Sequence, residues 1–346
     1  MRFGESLTAS DDTIIVFGQE MRLEVAQPDV ANAVVHRAGG TLVIIDTGAT
    51  AAFRQPLLEA ARRLAPWSSI LLLTTHGHLD HVGNNDLIDQ LAARAGVRDV
   101  RHFVPARDAG QLADPGAYWR ANLAQLAGVL PGFEDPGPVV AAVLAMFSPQ
   151  RPAGAATRTF EELPLEHLRI GPVHATGWSF CGGAVQVVRT QGHCAGQVVV
   201  HLASPGLLHL SDEPNSPCAA MHDADQVKML SALGWALTAI QSGAVALMTE
   251  GHEFDLYRSE AAAARLARLL DDAARLDAAV QPATASAPTT AEFNAAFGTA
   301  AAALSSASAN PNEIFAALAA QAKLRDLGMT GAGCGPDRRW TRPRLR

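Results

Sequence analysis

Six consecutive residues, His76-Gly77-His78-Leu79-Asp80-His81, place three imidazoles and a carboxylate in one short loop just after the apolar run Ile70-Leu71-Leu72-Leu73. Imidazole and carboxylate are ligands of borderline divalent metals such as zinc, and a catalytic zinc keeps an open position where bound water ionises near neutral pH. The loop by itself points to metal-dependent hydrolysis. Its partners must come from elsewhere in the chain, and a lone histidine on an apolar face is more often a satisfied structural residue than a ligand. Three further groups meet a stricter condition, that of following a strand-like run. His193 lies in Gln191-Gly192-His193-Cys194-Ala195-Gly196, Asp212 follows the run 207–210, and His252 follows the run 244–248 in Glu250-Gly251-His252. Strand ends at one edge of a sheet gather such groups, because the sheet fixes the backbone while the loops present side chains. The other seven histidines, His36, His102, His167, His174, His201, His209 and His222, read as structural. Of these, His209 alternates away from Leu208 and Leu210 and is a candidate partner of the site.

The elements that must position these groups are legible as short runs. Strand-like segments fall at 13–17, 33–36, 41–45 and 70–74, and 43–45 has no polar alternation, as in a strand covered on both faces. Helical spacing predicts helices at 51–64 and 85–95. From 105 to 164 the texture turns helical, broken at Pro115-Gly116, Pro131-Gly132, Pro136-Gly137-Pro138 and Pro149 to Pro152. An insertion of this length on an α/β core reads as a lid or pocket wall. Strand signals return at 170–173, 184–188, 198–202, 207–210 and 244–248, with a helix at 224–240. Beyond Phe254 the chain is Ala-rich and helical, at 256–276, 290–303 and 311–327, with 282–289 as a link. The basic end 338–346 reads as a solvated tail.

The chain has 346 residues, 48% of them hydrophobic and 18% charged, with a formal net charge of −7. That composition suits a globular protein able to bury a large core. The acidic balance argues against a general nucleic-acid or anionic-membrane binder. No run approaches the roughly 18 apolar residues of a membrane span, and the first residues lack the apolar stretch of a secretory signal. A cytoplasmic enzyme with a small-molecule substrate is expected, and a homodimer is left open. The four cysteines, Cys181, Cys194, Cys218 and Cys334, form no C-x-x-C pair, which disfavours a disulfide framework or a thiolate zinc site.

The ordered set Asp46, His76-x-His78-x-Asp80-His81, His193, Asp212 and His252 resembles the metallo-β-lactamase superfamily over roughly residues 12–255. The resemblance implies an α/β fold, the αββα sandwich, in which two mixed β-sheets lie face to face with helices outside and metals at one edge. It divides the chain into a catalytic domain at 1–255, carrying the 105–164 insertion, and a helical C-terminal module at 256–346. It further implies two divalent metal ions, with zinc favoured and iron or manganese left open. His76, His78 and His193 would hold the first metal, Asp80, His81 and His252 the second, and Asp212 would bridge them. Cations about 3.5 Å apart need such anionic charge between them. Asp46 would hold the metal loop from beneath by hydrogen bonds. A hydroxide shared by the pair would attack, with Asp80 orienting it or carrying its proton. The start of the helix after Gly83 would add free N–H groups near developing negative charge.

Fold does not settle chemistry. True β-lactamases of the family generally lack an aspartate at the bridging position, so Asp212 points to the glyoxalase-II-like branch of thioesterases, lactonases and other esterases. His78 stands where diiron flavoprotein reductases of the superfamily carry an acidic residue, which favours hydrolysis over redox chemistry. The C-terminal helices are similar to the small helical module of some glyoxalase-II-like hydrolases. Lactonases of the group often place a tyrosine near the bridging aspartate. Only Tyr118 and Tyr257 exist here, and Tyr118, inside the insertion, could reach the pocket. The expected function is a dinuclear zinc hydrolase attacking the carbonyl of an ester, thioester or lactone of a small metabolite. Alternatives are a phosphodiesterase or ribonuclease on the same two metals, a mononuclear iron dioxygenase of a sulfur substrate, and a binding protein that keeps the fold without chemistry.

Overall fold

The computed structural model describes residues 3–22, 25–93, 96–127, 129–130, 133–147, 157–304, 313–332 and 336–342. Strands β1 (Ser6–Ser10), β2 (Thr13–Val16), β3 (Ala33–Ala38), β4 (Thr41–Ile45), β5 (Ser69–Leu73), β6 (Asp99–Val104) and β7 (Thr157–Thr159) form one sheet in chain order. Pairing is antiparallel from β1 to β4 and parallel from β4 to β7. A parallel neighbour requires a crossover, and helices supply each one. Helix α1 (Ala51–Arg63) joins β4 to β5. The short α2 (Leu79–Val82) and α3 (Leu87–Ala92) join β5 to β6, and α4 (Ala109–Ala113), α5 (Pro115–Ala124) and α6 (Gly137–Met146) lie between β6 and β7.

The second sheet repeats the scheme with β8 (Glu166–Ile170), β9 (Val173–Phe180), β10 (Val185–Arg189), β11 (Val198–Leu202), β12 (Leu207–His209), β13 (Leu247–Thr249) and β14 (Tyr257–Arg258). Its one parallel pair, β12 with β13, is bridged by α7 (Gln226–Gln241). Then follow α8 (Ser259–Ala285), α9 (Thr290–Ala302), α10 (Glu313–Asp326) and the hairpin β15 (Thr330–Ala332) with β16 (Arg339–Thr341).

The period of two along each strand builds the layers. Val43, Ile45, Leu71 and Leu73 of the first sheet meet Val185, Val187, Val198 and Val200 of the second in a dry centre. Leu42, Ile44, Ile70 and Leu72 face the other way, onto Phe53, Leu57 and Ala61 of α1. Val199 and Leu208 pack outward on Leu233 and Ala236 of α7 and on Leu266 and Leu269 of α8. The result is the expected αββα sandwich, with both faces of the central strands covered. Among the described residues no helix is long and apolar enough to cross a membrane.

Several local expectations need correction. The segment 170–173 is the turn between β8 and β9, with Gly171 at φ 59°, rather than a strand. Strand β7 returns to the first sheet before the end of the expected insertion. The 282–289 link shrinks because α8 runs through Pro282, whose neighbourhood is exposed, so the carbonyl that loses its partner can be hydrated. The basic end is anchored rather than free, since Trp340 is buried with Leu276, Val280, Phe293 and Leu324 in the C-terminal core. Insertion residues Leu123, Leu126, Phe133 and Val140 share another core with Ala317 and Leu318 of α10. Pro131-Gly132, Pro149 to Pro152, the 311–312 start of the last expected helix, Cys334 and residues 343–346 lie outside the described residues.

Candidate metal centre

The metal loop leaves β5 at Leu73 and is held down by Asp46 at the end of neighbouring β4. Asp46 adopts φ 57°, a left-handed conformation that Asp tolerates better than most residues. Its carboxylate accepts from Thr75 N at 2.8 Å and Thr75 Oγ1 at 2.7 Å, and meets His81 Nδ1 at 2.8 Å. The supporting role expected of Asp46 thus has a geometry. His209 Nε2 stands 3.8 Å from Asp46 Oδ2, too far for a hydrogen bond.

All seven expected ligands converge in two groups that share one carboxylate. His76, His78, His193 and Asp212 form the first group, and Asp80, His81, Asp212 and His252 the second. Within each group the facing atoms lie within 4.8 Å of one another, and either group could hold a metal ion. Asp212 Oδ2 is 3.8 Å from His76 Nε2, 3.5 Å from His193 Nε2 and 3.2 Å from His252 Nε2, while Oδ1 is 3.1 Å from His81 Nε2. Asp80 Oδ2 lies 3.3 Å from His81 Nε2 and 3.0 Å from His252 Nε2. His76 Nε2 is buried without a hydrogen-bond partner, and His81 Nε2 and Asp212 Oδ1, though 3.1 Å apart, are buried without facing each other in hydrogen-bond geometry. Buried polar atoms are normally satisfied, so three orphans aimed at common points fit divalent cations.

The electrostatics agree. Burial drives His76 well below its ordinary value, and burial together with His193 lowers His78 to about 3. Burial opposes charge on His81 as well, but the carboxylates of Asp212, Asp80 and Asp46 overcome it and raise that imidazole well above its usual range. His252 is raised in the same way, against burial, by Asp29 and Asp212. Asp80 and Asp212 are held well below the carboxylate range, despite burial, by those same imidazoles. Cations among these atoms would take over the role of the imidazolium protons.

Supporting contacts bring in residues that spacing alone did not mark. His252 Nδ1 lies 3.2 Å from Asp29 Oδ1. Glu213, next to Asp212, accepts from the N–H groups of Gly192 and His193, both at 3.0 Å, and fixes the His193 segment. Asp108, fully buried at the start of the insertion, accepts from Gly77 N at 2.8 Å. A Cβ on Gly196 would stand 2.2 Å from the Asp108 carboxyl carbon, so Asp108 is wedged between the metal loop and the His193 loop. Tyr118 does reach the centre, with its hydroxyl 2.9 Å from His78 Nε2 and 3.0 Å from Asp223 Oδ1. The free N–H groups expected after Gly83 are absent at Asn84, Asn85 and Leu87. These donate to Thr47 Oγ1, Val82 O and Asn84 O, because the chain turns tightly there before α3 begins.

A four-layered αββα sandwich with paired His/Asp clusters at one sheet edge defines the class. The chain belongs to the metallo-β-lactamase superfamily, whose family model matches residues 26–213, more than half of the chain. The members of this superfamily are mainly metal-dependent hydrolases. No curated protein matches the sequence significantly. Among solved structures, the chain is similar to a β-lactamase domain protein from Burkholderia ambifaria, with TM-score 0.59, 18% identity, and 99% of this chain and 94% of that chain covered. It is also similar to a metallo-β-lactamase family protein from Thermus thermophilus, with TM-score 0.55, 19% identity and coverage of 90% and 94%. A stereoselective inverting sec-alkylsulfatase from Pseudomonas sp. aligns with TM-score 0.57 and 18% identity over 93% of this chain and 50% of that one. At these identities the likeness shows the fold alone.

Proposed function

We propose that the protein is a dinuclear metal-dependent hydrolase of an ester, thioester or lactone. The observation that carries this reading is the pair of ligand clusters joined through Asp212. His76, His78 and His193 would hold one cation, Asp80, His81 and His252 the other, and Asp212 both. Zinc suits this mixed imidazole and carboxylate set. When bound, the cations would supply Lewis-acid activation of water and of the substrate's carbonyl.

The chain's own residues do the rest. Asp80 is the more open of the two central carboxylates, its side chain 12% exposed against 3% for Asp212. It can therefore take the proton of an attacking water at the oxygen turned away from His81 and His252. Asp212, closed off and wedged among four imidazoles, keeps the two clusters in register. Trp119, half-buried with its ring 5.6 Å from that of His78, offers an aromatic surface for an apolar acyl group.

The test is metal analysis followed by turnover on ester, thioester, lactone, sulfate-ester and bis-aryl phosphate substrates. The alkylsulfatase neighbour earns the sulfate ester its place in the panel. About two metals per chain are expected, with ester or lactone turnover abolished in Asp80→Ala and His193→Ala. Less than half a metal per chain with unchanged turnover in both variants would overturn the reading. Faster turnover of the bis-aryl phosphate would replace it with phosphodiester cleavage, and iron with oxygen uptake would replace it with dioxygenation.

A further inference from the structure

His78 differs from its neighbours in the atom that it presents. His81 and His252 each set Nδ1 against a carboxylate, Asp46 and Asp29, and His76 sets Nδ1 against Thr75 Oγ1 at 3.2 Å, so all three turn Nε2 to the clusters. His78 is reversed. Its Nδ1 lies 3.2 Å from His193 Nε2, inside the first cluster, and its Nε2 points away to Tyr118.

We propose that Asp223 and Tyr118 form a positioning relay that fixes the tautomer of His78, so that its Nδ1 lone pair is the one offered to the first metal. The proposal rests on the ligand roles argued above. A carboxylate has no proton to give and only accepts. In the 3.0 Å contact with Asp223 Oδ1 the Tyr118 hydroxyl therefore donates its single proton. Toward His78 Nε2, at 2.9 Å, the same oxygen can then only accept, so Nε2 carries the imidazole proton. A neutral imidazole protonated on Nε2 keeps its lone pair on Nδ1. The far end of the relay is pinned as well, since Asp223 Oδ2 accepts from Ala195 N at 3.1 Å, two residues beyond His193. One carboxylate thus sets the polarity of the His78 contact and holds the segment carrying His193.

This gives the insertion a role other than covering a pocket. Tyr118 lies on α5, and that helix is braced from behind by α10 through Leu123, Leu126 and Leu318. Asn122, one helical turn after Tyr118, accepts from His222 N at 2.9 Å and ties α5 to the residue before Asp223. Besides the Tyr118 ring's own contact with His78, at 5.3 Å between centroids, the phenol and the carboxylate are therefore braced by packing from outside the metal loop.

The decisive measurement is the tautomer of His78, read from nitrogen-15 shifts in histidine-labelled, metal-stripped full-length protein. Zinc titration against a competing chelator and thermal unfolding of the stripped protein accompany it. The wild type should show the proton on Nε2. Tyr118→Phe and the isosteric Asp223→Asn should each shift His78 towards a mixture of tautomers. Both should weaken zinc at one of the two sites by about 10–100-fold, as loss of an outer partner does, while the other site holds. A wild-type proton on Nδ1 overturns the relay. So does unchanged zinc affinity in both variants, or a loss of thermal stability in the stripped protein with no change in affinity or tautomer. His193→Ala separates the two levels of the proposal. If it removes one zinc site while the relay variants change nothing, the ligand reading stands and the relay falls; if it removes none, both fall.

Discussion

Replacement of Gly251 by alanine isolates the geometry of the shared carboxylate. An ideal Cβ at this position would lie 2.1 Å from Asp212 Oδ1 and 3.2 Å from His81 Cε1, whereas real Cβ atoms essentially never come closer than 3.0 Å to another heavy atom. Something must move by about 0.9 Å or more. The backbone is poorly placed to yield, because Gly251 N donates to Ser211 O and Gly251 O accepts from Asn32 N, both at 2.8 Å. The Asp212 side chain must therefore shift, and with it the one atom pair common to both clusters. Gly251 is not among the positive-φ residues, so alanine meets no intrinsic backbone strain there. Removing glycine's freedom from the unfolded chain would even stabilise the protein by about 0.4–1 kcal/mol. The steric effect should win at the site and lose in the fold as a whole. A misplacement of about 1 Å can cost on the order of 100-fold in rate. The expected variant is folded, with circular dichroism and urea midpoint close to wild type, reduced metal content and turnover down by about two orders of magnitude. Gly251→Ala with two metals and wild-type turnover would show that Asp212 is not held where the argument requires.

Three further outcomes can be checked. Burial raises the Asp108 carboxyl from 3.8 to about 7, so the folded protein keeps a proton that the unfolded chain releases, and stability falls between those values as pH rises. Asp108→Asn lacks that titration; its stability relative to wild type should climb by on the order of 4 kcal/mol from pH 4 to 7 in urea melts of stripped protein, and a constant difference refutes the assignment. Arg265 on α8 grips the buried Glu250 carboxylate with Nε at 2.5 Å and a terminal nitrogen at 2.7 Å. Burial already pushes the Glu250 carboxyl up to about 7, so Arg265→Ala should cost about 3–5 kcal/mol by denaturant unfolding above that pH, where the charge is left unpaired, and a loss below about 1 kcal/mol there would count against it. Finally, returning zinc to stripped protein at about 100 times its Kd should stabilise the fold by about 2.7 kcal/mol per site, and an unchanged melting temperature would mean that zinc does not bind the native state.

The metal loop was legible because its groups are crowded into six residues, and the distant ligands because each follows an apolar run that became a strand end. The αββα sandwich is what the family resemblance implies, and the runs Val43-Ile44-Ile45 and Ile70-Leu71-Leu72-Leu73, apolar on both faces, fit its covered central strands. The supporting residues were not legible. Asp29 and Asp223 are ordinary loop aspartates and Asp108 ends a single helical turn; their partners lie far away in sequence, and only the folded chain sets Asp223 against Tyr118. The edge strands β1 and β14 and the short β7 carry half-exposed or polar residues, so their pairing comes from the neighbouring strand rather than from any pattern of their own. Pro282 and the arginines flanking Trp340 misled in the opposite sense, by marking as breaks or tail what packing had drawn into a helix and a core.

Each sheet is made from an unbroken stretch of chain, and the two stretches meet at the metal edge in equal shares. The first cluster takes His76 and His78 from the first stretch and His193 and Asp212 from the second; the other takes Asp80 and His81 from the first and Asp212 and His252 from the second. A cation in either cluster would therefore be a rivet through two plates. Stripping the metals would loosen the seam between the layers before it disturbed either sheet, so amide exchange should quicken first in the 76–81, 191–196 and 250–253 loops and last in the central strands β4, β5 and β11.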